Sequence, residues 1–511
     1  MNKIYSPEKI KERENRLINE IGFKAEVLME RAALALFDCV KEKLKSKSDR
    51  VLIVASCGNN GGDGIALARI LIESGIKTSL YVLKSPHKSE LFSYEYKLLQ
   101  SIASYTDNTI VFPPLIKNEY AVVVDCMFGT GLNRDLSEEY ISIINQINFL
   151  DAYVISADVP SGIDSSTGKL RGGAVKADLT VTFAGYKTGL FLKVAPDYTG
   201  IIKCVDIGIN MECEEPDAFA ISEADFENNP LYVKNTAHKG TYGKTLVIAG
   251  SKDIYGAAFL CAKASFCSGA GLVKIVTHEN NRYSLEHDIP EAMFDFYEDE
   301  PDIDNLIKDI SSFDTIVCGP GLGTGNAAKS IVNAIADKGI FEDKIYVFDA
   351  DAINVLTADA ILFAKLSNMC REKGVHIVFT PHGGELKRLS DSLGAENADF
   401  TQNFYQNYGM VLVEKSAKTH VFGKNVYVNF SGNEGMATAG SGDVLAGILG
   451  GLCYRTNKNT DVDFAKSVAF SVFLHGYAGN LAKDCKGAVA MTATDILENI
   501  PNAWERLINE K

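Results

Sequence analysis

No run of this 511-residue chain reaches the ~20 uninterrupted apolar residues that a membrane helix needs, so a helical membrane protein is excluded. The opening MNKIYSPEKIKERENRL is charged throughout and predicts no secretory leader. The 11 cysteines are scattered, with no CxxC pair and no Cys/His cluster at zinc spacing. An odd number of them in a long chain argues against a disulfide framework and for reduced thiols in a cytoplasmic setting. A surplus of basic charge is also missing: Lys and Arg total 51 against 66 Asp and Glu, for a net charge of −15. That excludes general nucleic-acid or anionic-membrane binding, though not a local basic pocket for a phosphate.

What is present is an ordinary globular balance, 46% hydrophobic and 23% charged, in a chain too long for one core. Ser6-Pro7 reads as a helix start, with Ser as cap and Pro in the first turn, and a long amphipathic helical stretch follows through LMERAALALFDCV. Short apolar runs then alternate with helical segments: VLIVAS (51–56), TSLYVL (78–83), AVVVDCM (121–127), YVISADV (153–159) and LTVTFA (179–184). Such runs predict a parallel sheet buried on both faces, in a three-layer αβα sandwich. The stretch 207–233 is acidic and weakly periodic, and reads as a connector with little core of its own. Beyond it the pattern restarts with TLVIAGS (245–251), LVKIVT (272–277), TIVCGPGLG (315–323), KIYVFDADA (344–352), VHIVFTP (375–381) and MVLVEKS (410–416). The expected organisation is a domain over 1–213, a connector over 214–232 and a second, unrelated α/β domain over 233–511.

Three loops of the first half follow predicted strands, where ligands of parallel sheets bind. CGNNGGDG (57–64) feeds a helix whose N-terminus offers N–H donors to a pyrophosphate, and its Asn59, Asn60 and Asp63 are more than a bare turn needs. DCMFGTGLNRD (125–135) can form a second anion nest, and SADVPSGIDSSTG (156–168) sets Asp158 and Ser161 at the next strand end. Any one Asp here could be a turn residue; three such loops together favour a binding site. In the second half, GMATAGSGDVLAGILGGL (435–452) joins a Gly-Ser-Gly-Asp turn to a buried helix, pairing backbone donors with Asp443 as base. The alternative is a glycine-capped helix with Asp443 as its N-cap. His382, in PHGGE, suits a ligand or acid–base role, His238-Lys239-Gly240 a phosphate contact, and His475 a structural one.

NNGGDG and DVPSG, with LMERAA before them and VTFAGYKTGL after, resemble the N-terminal domain of the YjeF family over essentially all of 1–210. The resemblance implies an NAD(P)H-hydrate epimerase with a Rossmann-like fold. Asn59, Asn60, Gly61, Gly62 and Asp63, with Gly129, Thr130, Gly131, Leu132, Asn133, Arg134 and Asp135, would hold the dinucleotide. Asn60, Asp125 and Ser161 would ligate a potassium ion, and Asp158 would contact the hydrated nicotinamide and act as acid–base group.

The second half resembles the ribokinase-like ADP/ATP-dependent NAD(P)H-hydrate dehydratases over nearly all of 225–500. The order HKGTYGKTLVIAGS, GAAFLCAKASFCSGAGLVKI, PEAM, CGPGLGTG, DADAIN, TPHGGELKRL carries that resemblance. It implies a hydrate site of Ala258, Gly323, His382 and catalytic Asp443. It also implies an adenine-nucleotide site of Lys415, Ser416, Ala417, Lys418 and Thr419 with Asn433, Glu434, Gly435, Met436, Ala437, Thr438, Ala439, Gly440, Ser441 and Gly442. Ser416, Glu434 and Ala439 depart from the usual Gly, Pro and Gly, and Ser56 and Cys57 from the usual Gly or Pro.

The implied chemistry is repair. ADP or ATP with Mg²⁺ phosphorylates the ring hydroxyl of the S hydrate, phosphate leaves, and the first domain converts R to S. A cytoplasmic homo-oligomer that binds no nucleic acid or membrane is expected. A ribokinase-like small-molecule kinase with an N-terminal nucleotide-binding module is the enzymatic rival, and a scaffolding first domain the non-enzymatic one.

Overall fold

The computed structural model describes residues 1–46, 48–105, 119–227, 240–394, 399–458 and 463–509, which form two compact units, 3–218 and 219–511 with the first two residues. His238, Lys239 and the predicted connector's end lie outside the described residues.

The strands of the first unit are β1 (Asn2–Tyr5), β2 (Arg50–Ala55), β3 (Lys77–Val82), β4 (Val122–Cys126), β5 (Tyr153–Ala157), β6 (Leu179–Phe183), β7 (Tyr186–Lys187) and β8 (Ile201–Val205). Six form a parallel sheet in the order β3-β2-β4-β5-β6-β8, and β1 pairs with β7 alongside. Val51, Ile53 and Ala55 join one hydrophobic cluster while Leu52 and Val54 join another, so alternate side chains bury both faces. Because β3 lies on one side of β2 and β4 on the other, the chain reverses direction across the sheet between β2 and β4. The crevice at that reversal is where open α/β sheets take ligands.

In the second unit, β9 (Ala218–Ala220), β10 (Lys244–Ile248), β11 (Leu272–His278), β12 (Met293–Tyr297), β13 (Thr315–Cys318), β14 (Ile345–Phe348), β15 (His376–Phe379), β16 (Val411–Glu414), β17 (His420–Phe422) and β18 (Val426–Val428) follow. Their order is β12-β11-β10-β13-β14-β15-β16-β17-β18-β9. Pairing is parallel from β12 to β16, and β16-β17-β18 is antiparallel. Here the reversal falls between β10 and β13. The glycines of LAGILGGL let two helices touch: a Cβ on Gly447 would sit 2.2 Å from the Cys261 carbonyl oxygen of the helix Gly256–Cys267.

Two readings are corrected. The N-terminal helical stretch is two helices, Pro7–Asn19 and Ala25–Lys43, separated by a turn through Gly22 at φ 82°. Ser6 makes no side-chain cap; its N–H instead donates to Asp217 at 2.7 Å. The acidic stretch after 207 is not coreless. Ile207, Ile209 and Met211 are buried in the first unit, and Ile221 and Phe226 in the second. Its apolar residues are few: Ile207, Ile209 and Met211 alternate with Gly208 and Asn210, and the acidic run from Glu212 to Asp217 then hides the pattern.

Candidate functional sites

In the first unit β2 ends against the helix Asn59–Glu73, and a Cβ on Gly61 would lie 1.9 Å from the Ser56 carbonyl oxygen, so only glycine permits this entry. The tight turn brings Asn60 inward. Its amide nitrogen and oxygen are both buried and have no hydrogen-bond partner among the described residues. Burying such a group unpaired costs about 1–3 kcal/mol, which makes it a candidate ligand group.

Asp125, at the end of β4, is fully buried. It accepts from the Ser161 hydroxyl (2.6 Å) and N–H (2.9 Å), the Ser156 hydroxyl (2.9 Å) and the Met127 N–H (3.2 Å). Burial outweighs those bonds and raises its pKa. The Ser161 hydroxyl also accepts from the Phe128 N–H at 2.8 Å, which ties the second loop to the third.

Asp158 follows β5 in the left-handed region at φ 68°, a conformation uncommon outside glycine. A Cβ placed on Gly129 would be 3.3 Å from Asp158 Oδ2 and 3.5 Å from Asn60 Oδ1, so these three residues surround one small opening. Asn59, Thr130, Gly131, Asn133, Arg134 and Asp135 stand exposed, while Leu132 is buried. Asp63 faces the same charges: burial, then Asp158, Glu14 and Glu95, push its carboxyl well up, with Lys187 opposing.

In this unit Lys187 is a residue that sequence reasoning missed. Its side chain is 2% exposed, and it forms an ion pair with Asp158. It lay within the quoted VTFAGYKTGL, but a lysine just past a strand reads as solvated. Nothing local shows that the chain folds over it.

In the second unit, Asp443 sits in the first turn of the helix Ser441–Lys458, inside the helix rather than capping it. No described protein donor meets its carboxylate. Burial, then the neighbouring Asp349, raises its pKa to about 6, against the pull of Lys415. Asp349, at the end of β14, is buried and accepts from Lys415 at 2.8 Å and from the Thr380 hydroxyl at 2.6 Å. Burial opposes the charge on Lys415, but Asp349 more than offsets it and the lysine's pKa is raised. The turn after Asp349 holds Ala350 at φ 47°, a strained conformation of the kind that gathers at functional sites. Asp351, next in the turn, accepts from the Gly323 N–H at 2.8 Å.

A Cβ on Gly442 would lie 3.3 Å from Lys415 Nζ, so the glycine-rich turn and the lysine share one space. Lys415 also bridges to His382 along the backbone. His382 caps the helix Gly383–Ser392: Nδ1 accepts from the Gly384 N–H at 3.0 Å, and Nε2 lies 3.1 Å from Glu385. Both ring nitrogens are engaged, so the acid–base part of its expected role is withdrawn and a contact through the exposed ring remains.

Ala258 is buried on the helix Gly256–Cys267. Ser416 and Ala417 are exposed, Thr419 donates to the Ser416 carbonyl at 3.3 Å, and Lys418 turns inward to the Phe430 carbonyl at 3.3 Å. Asn433 is anchored to the Gly479 carbonyl at 2.9 Å, and Glu434 pairs with Lys483 at 2.8 Å. His475 is buried, lies 3.4 Å from the Ser441 hydroxyl and is held neutral with a pKa near 4 by burial, as a structural residue would be. Asp349, Asp351 and Thr380 were not singled out. They stood in quoted strand-end motifs, but only the fold aligns those strand ends.

Comparison with known proteins finds a family for each unit. Residues 245–502 match the NAD(P)H-hydrate dehydratase family, and residues 25–189 match the YjeF-related protein N-terminus. The bifunctional NAD(P)H-hydrate repair enzyme of Dictyoglomus turgidum is 32% identical, covering 100% of this chain and 99% of that protein. That of Coxiella burnetii is 31% identical over 98% and 99%, and that of Escherichia coli 29% over 99% and 94%. A ribokinase-like superfamily protein of Enterococcus faecalis superposes with a TM-score of 0.50 at 26% identity, covering 58% of this chain and 99% of that one.

Proposed function

The chain belongs to the bifunctional NAD(P)H-hydrate repair enzymes, and on that premise we propose how its two units divide the work. The first, over 1–213, interconverts R and S hydrates, and the second, over 233–511, dehydrates the S form, with 214–232 joining them. The observation that carries this reading is Asp443: a carboxylate with a pKa near 6, no described protein donor, at a helix N-terminus.

In the second unit Asp443 takes the proton of the ring hydroxyl as the hydroxyl oxygen attacks the terminal phosphorus of ADP or ATP. The phosphoryl bond to the nucleotide breaks, releasing AMP or ADP. The ring nitrogen lone pair then expels inorganic phosphate, and loss of a proton from the adjacent ring carbon restores the ring double bond of NAD(P)H. Gly440 and Gly442 offer N–H groups to the moving phosphoryl, and Lys415 lies beside Gly442. The segments 415–419 and 433–442 would hold the nucleotide, and Ala258, Gly323 and the His382 ring the hydrate. Among the described residues no group of His, Cys, Asp and Glu is arranged to hold a metal alone, which suits Mg²⁺ arriving on nucleotide phosphates. When bound, Mg²⁺ would offset phosphate charge.

In the first unit Asp158 moves the proton during epimerisation, beside a dinucleotide held by 59–63 and 129–135. The oxygens of Asn60, Asp125 and Ser161 fit a hard cation, and the unpartnered buried Asn60 amide supports potassium there. Bound potassium would supply positive charge beside the ring. Exchanging it for an organic cation should slow epimerisation severalfold.

The test is recovery of reduced-nicotinamide absorbance from mixed R and S hydrates with ADP and Mg²⁺, ATP and Mg²⁺, or no nucleotide. Full nucleotide-dependent recovery with release of inorganic phosphate is expected. A stable phosphate ester would favour the kinase instead. We also expect a cytoplasmic homo-oligomer, which light scattering and fractionation would check.

A further inference from the structure

We infer that Lys187 is a positioning residue of the first site: it occupies one oxygen of Asp158 and so leaves the other facing the opening beside Gly129 and Asn60. This role rests on the reading of Asp158 as the base.

The geometry separates the two carboxylate oxygens. Oδ1 accepts from Lys187 Nζ, from the Phe183 N–H at 3.3 Å and from the Thr182 hydroxyl at 3.5 Å. Oδ2 has no described hydrogen-bond donor and is the atom 3.3 Å from a Cβ built on Gly129. A bare carboxylate can rotate to exchange its oxygens; one held at Oδ1 by three donors from β6 and β7 presents a single face.

Lys187 is not placed to donate a proton to substrate. An ammonium has three N–H groups. Here they go to Asp158, to the Thr182 hydroxyl at 2.9 Å and to the Phe183 carbonyl at 2.7 Å, and the side chain is 2% exposed.

Its charge matters as well as its bonds. Asp63 from the helix Asn59–Glu73, Glu14 from the helix Pro7–Asn19 and Cys204 from β8 all interact with Asp158 or Lys187. With two further carboxylates near, Lys187 offsets the negative charge that gathers around Asp158. Removing one member of such a pair strands the other.

The test is a double-mutant cycle in the full chain: Asp158→Asn, Lys187→Met and both together, with R-to-S conversion followed directly. The neutral, near-isosteric double variant strands neither member of the pair. Lys187→Met should lower kcat about a hundredfold with KM within about twofold, and so should Asp158→Asn. The double variant should be no slower than Asp158→Asn alone, because Lys187 acts only through Asp158. A double variant tenfold or more slower, or a Lys187→Met protein with normal kcat and raised KM, would overturn the role. Should Lys187→Met alone fail to fold, the comparison of Asp158→Asn with the double variant still decides. Full activity in Asp158→Asn would instead remove the base itself, a failure distinguishable from that of Lys187.

Discussion

Both units hold a lysine–aspartate pair at the end of a parallel sheet, with one partner buried and the other partly so, but they connect it differently. In the first, the lysine grips the carboxylate proposed to do the chemistry: Lys187 bonds Asp158. In the second, the lysine grips a neighbour, Asp349, and leaves Asp443 with no donor among the described residues, at a pKa near 6. The same two residue types therefore do different things. A direct bond fixes orientation. A bond to a neighbour leaves the base free, with one charge raising its pKa and another lowering it. Proton removal from a hydroxyl during phosphoryl transfer suits the second arrangement, since a base poised near the working pH is most effective.

The largest expected effect breaks the comparison in half. Asp443→Asn should reduce dehydration of S hydrate about 10²–10³-fold and leave epimerisation unchanged, while Asp158→Asn should do the reverse. Absorbance recovery and direct epimer analysis read the two rates. Next comes pH. Asp443 works ionised, so dehydration should fall about tenfold per unit as pH drops below its pKa of about 6. Asp349→Asn removes the negative neighbour and should shift that limb to lower pH. Lys415→Met removes the positive one and should shift it up, and rate–pH profiles report both.

A smaller effect concerns stability. Folding raises the pKa of Asp443 from 3.8 to about 6, so folding favours its protonated form. Its contribution is fully present below pH 3.8 and is lost as pH rises through 6. Asp443→Asn should therefore stabilise the second unit by about 1–3 kcal/mol at pH 7.5, with the gain vanishing near pH 4, as thermal melts would show. Smallest is His382→Ala, which removes a helix cap and should cost about 1 kcal/mol with kcat within a fewfold of the original.

How much was legible follows from burial. Central strands such as β4 and β14 are buried on both faces and stand out as apolar runs, β4 despite the Asp125 near its end. The edge strands β8 and β12 are half-exposed and carry Lys203 or Asp295 within them, so neither reads as a run. Glycine-rich loops were legible because close approach to a strand end demands glycine, as at Gly61.

The sequence by itself determined two α/β halves and the glycine-rich loops at their strand ends, while Asp125, Asp158 and Asp443 were singled out within those loops by resemblance to known families. The halves and loops follow from local rules: side-chain periodicity, turn chemistry and the need for glycine. Only the tertiary structure decided which lysine meets which carboxylate, that Asn60 is left unpartnered, and that His382 is a cap. Those facts depend on desolvation and on distances between residues far apart in the chain, and neither has a local signature.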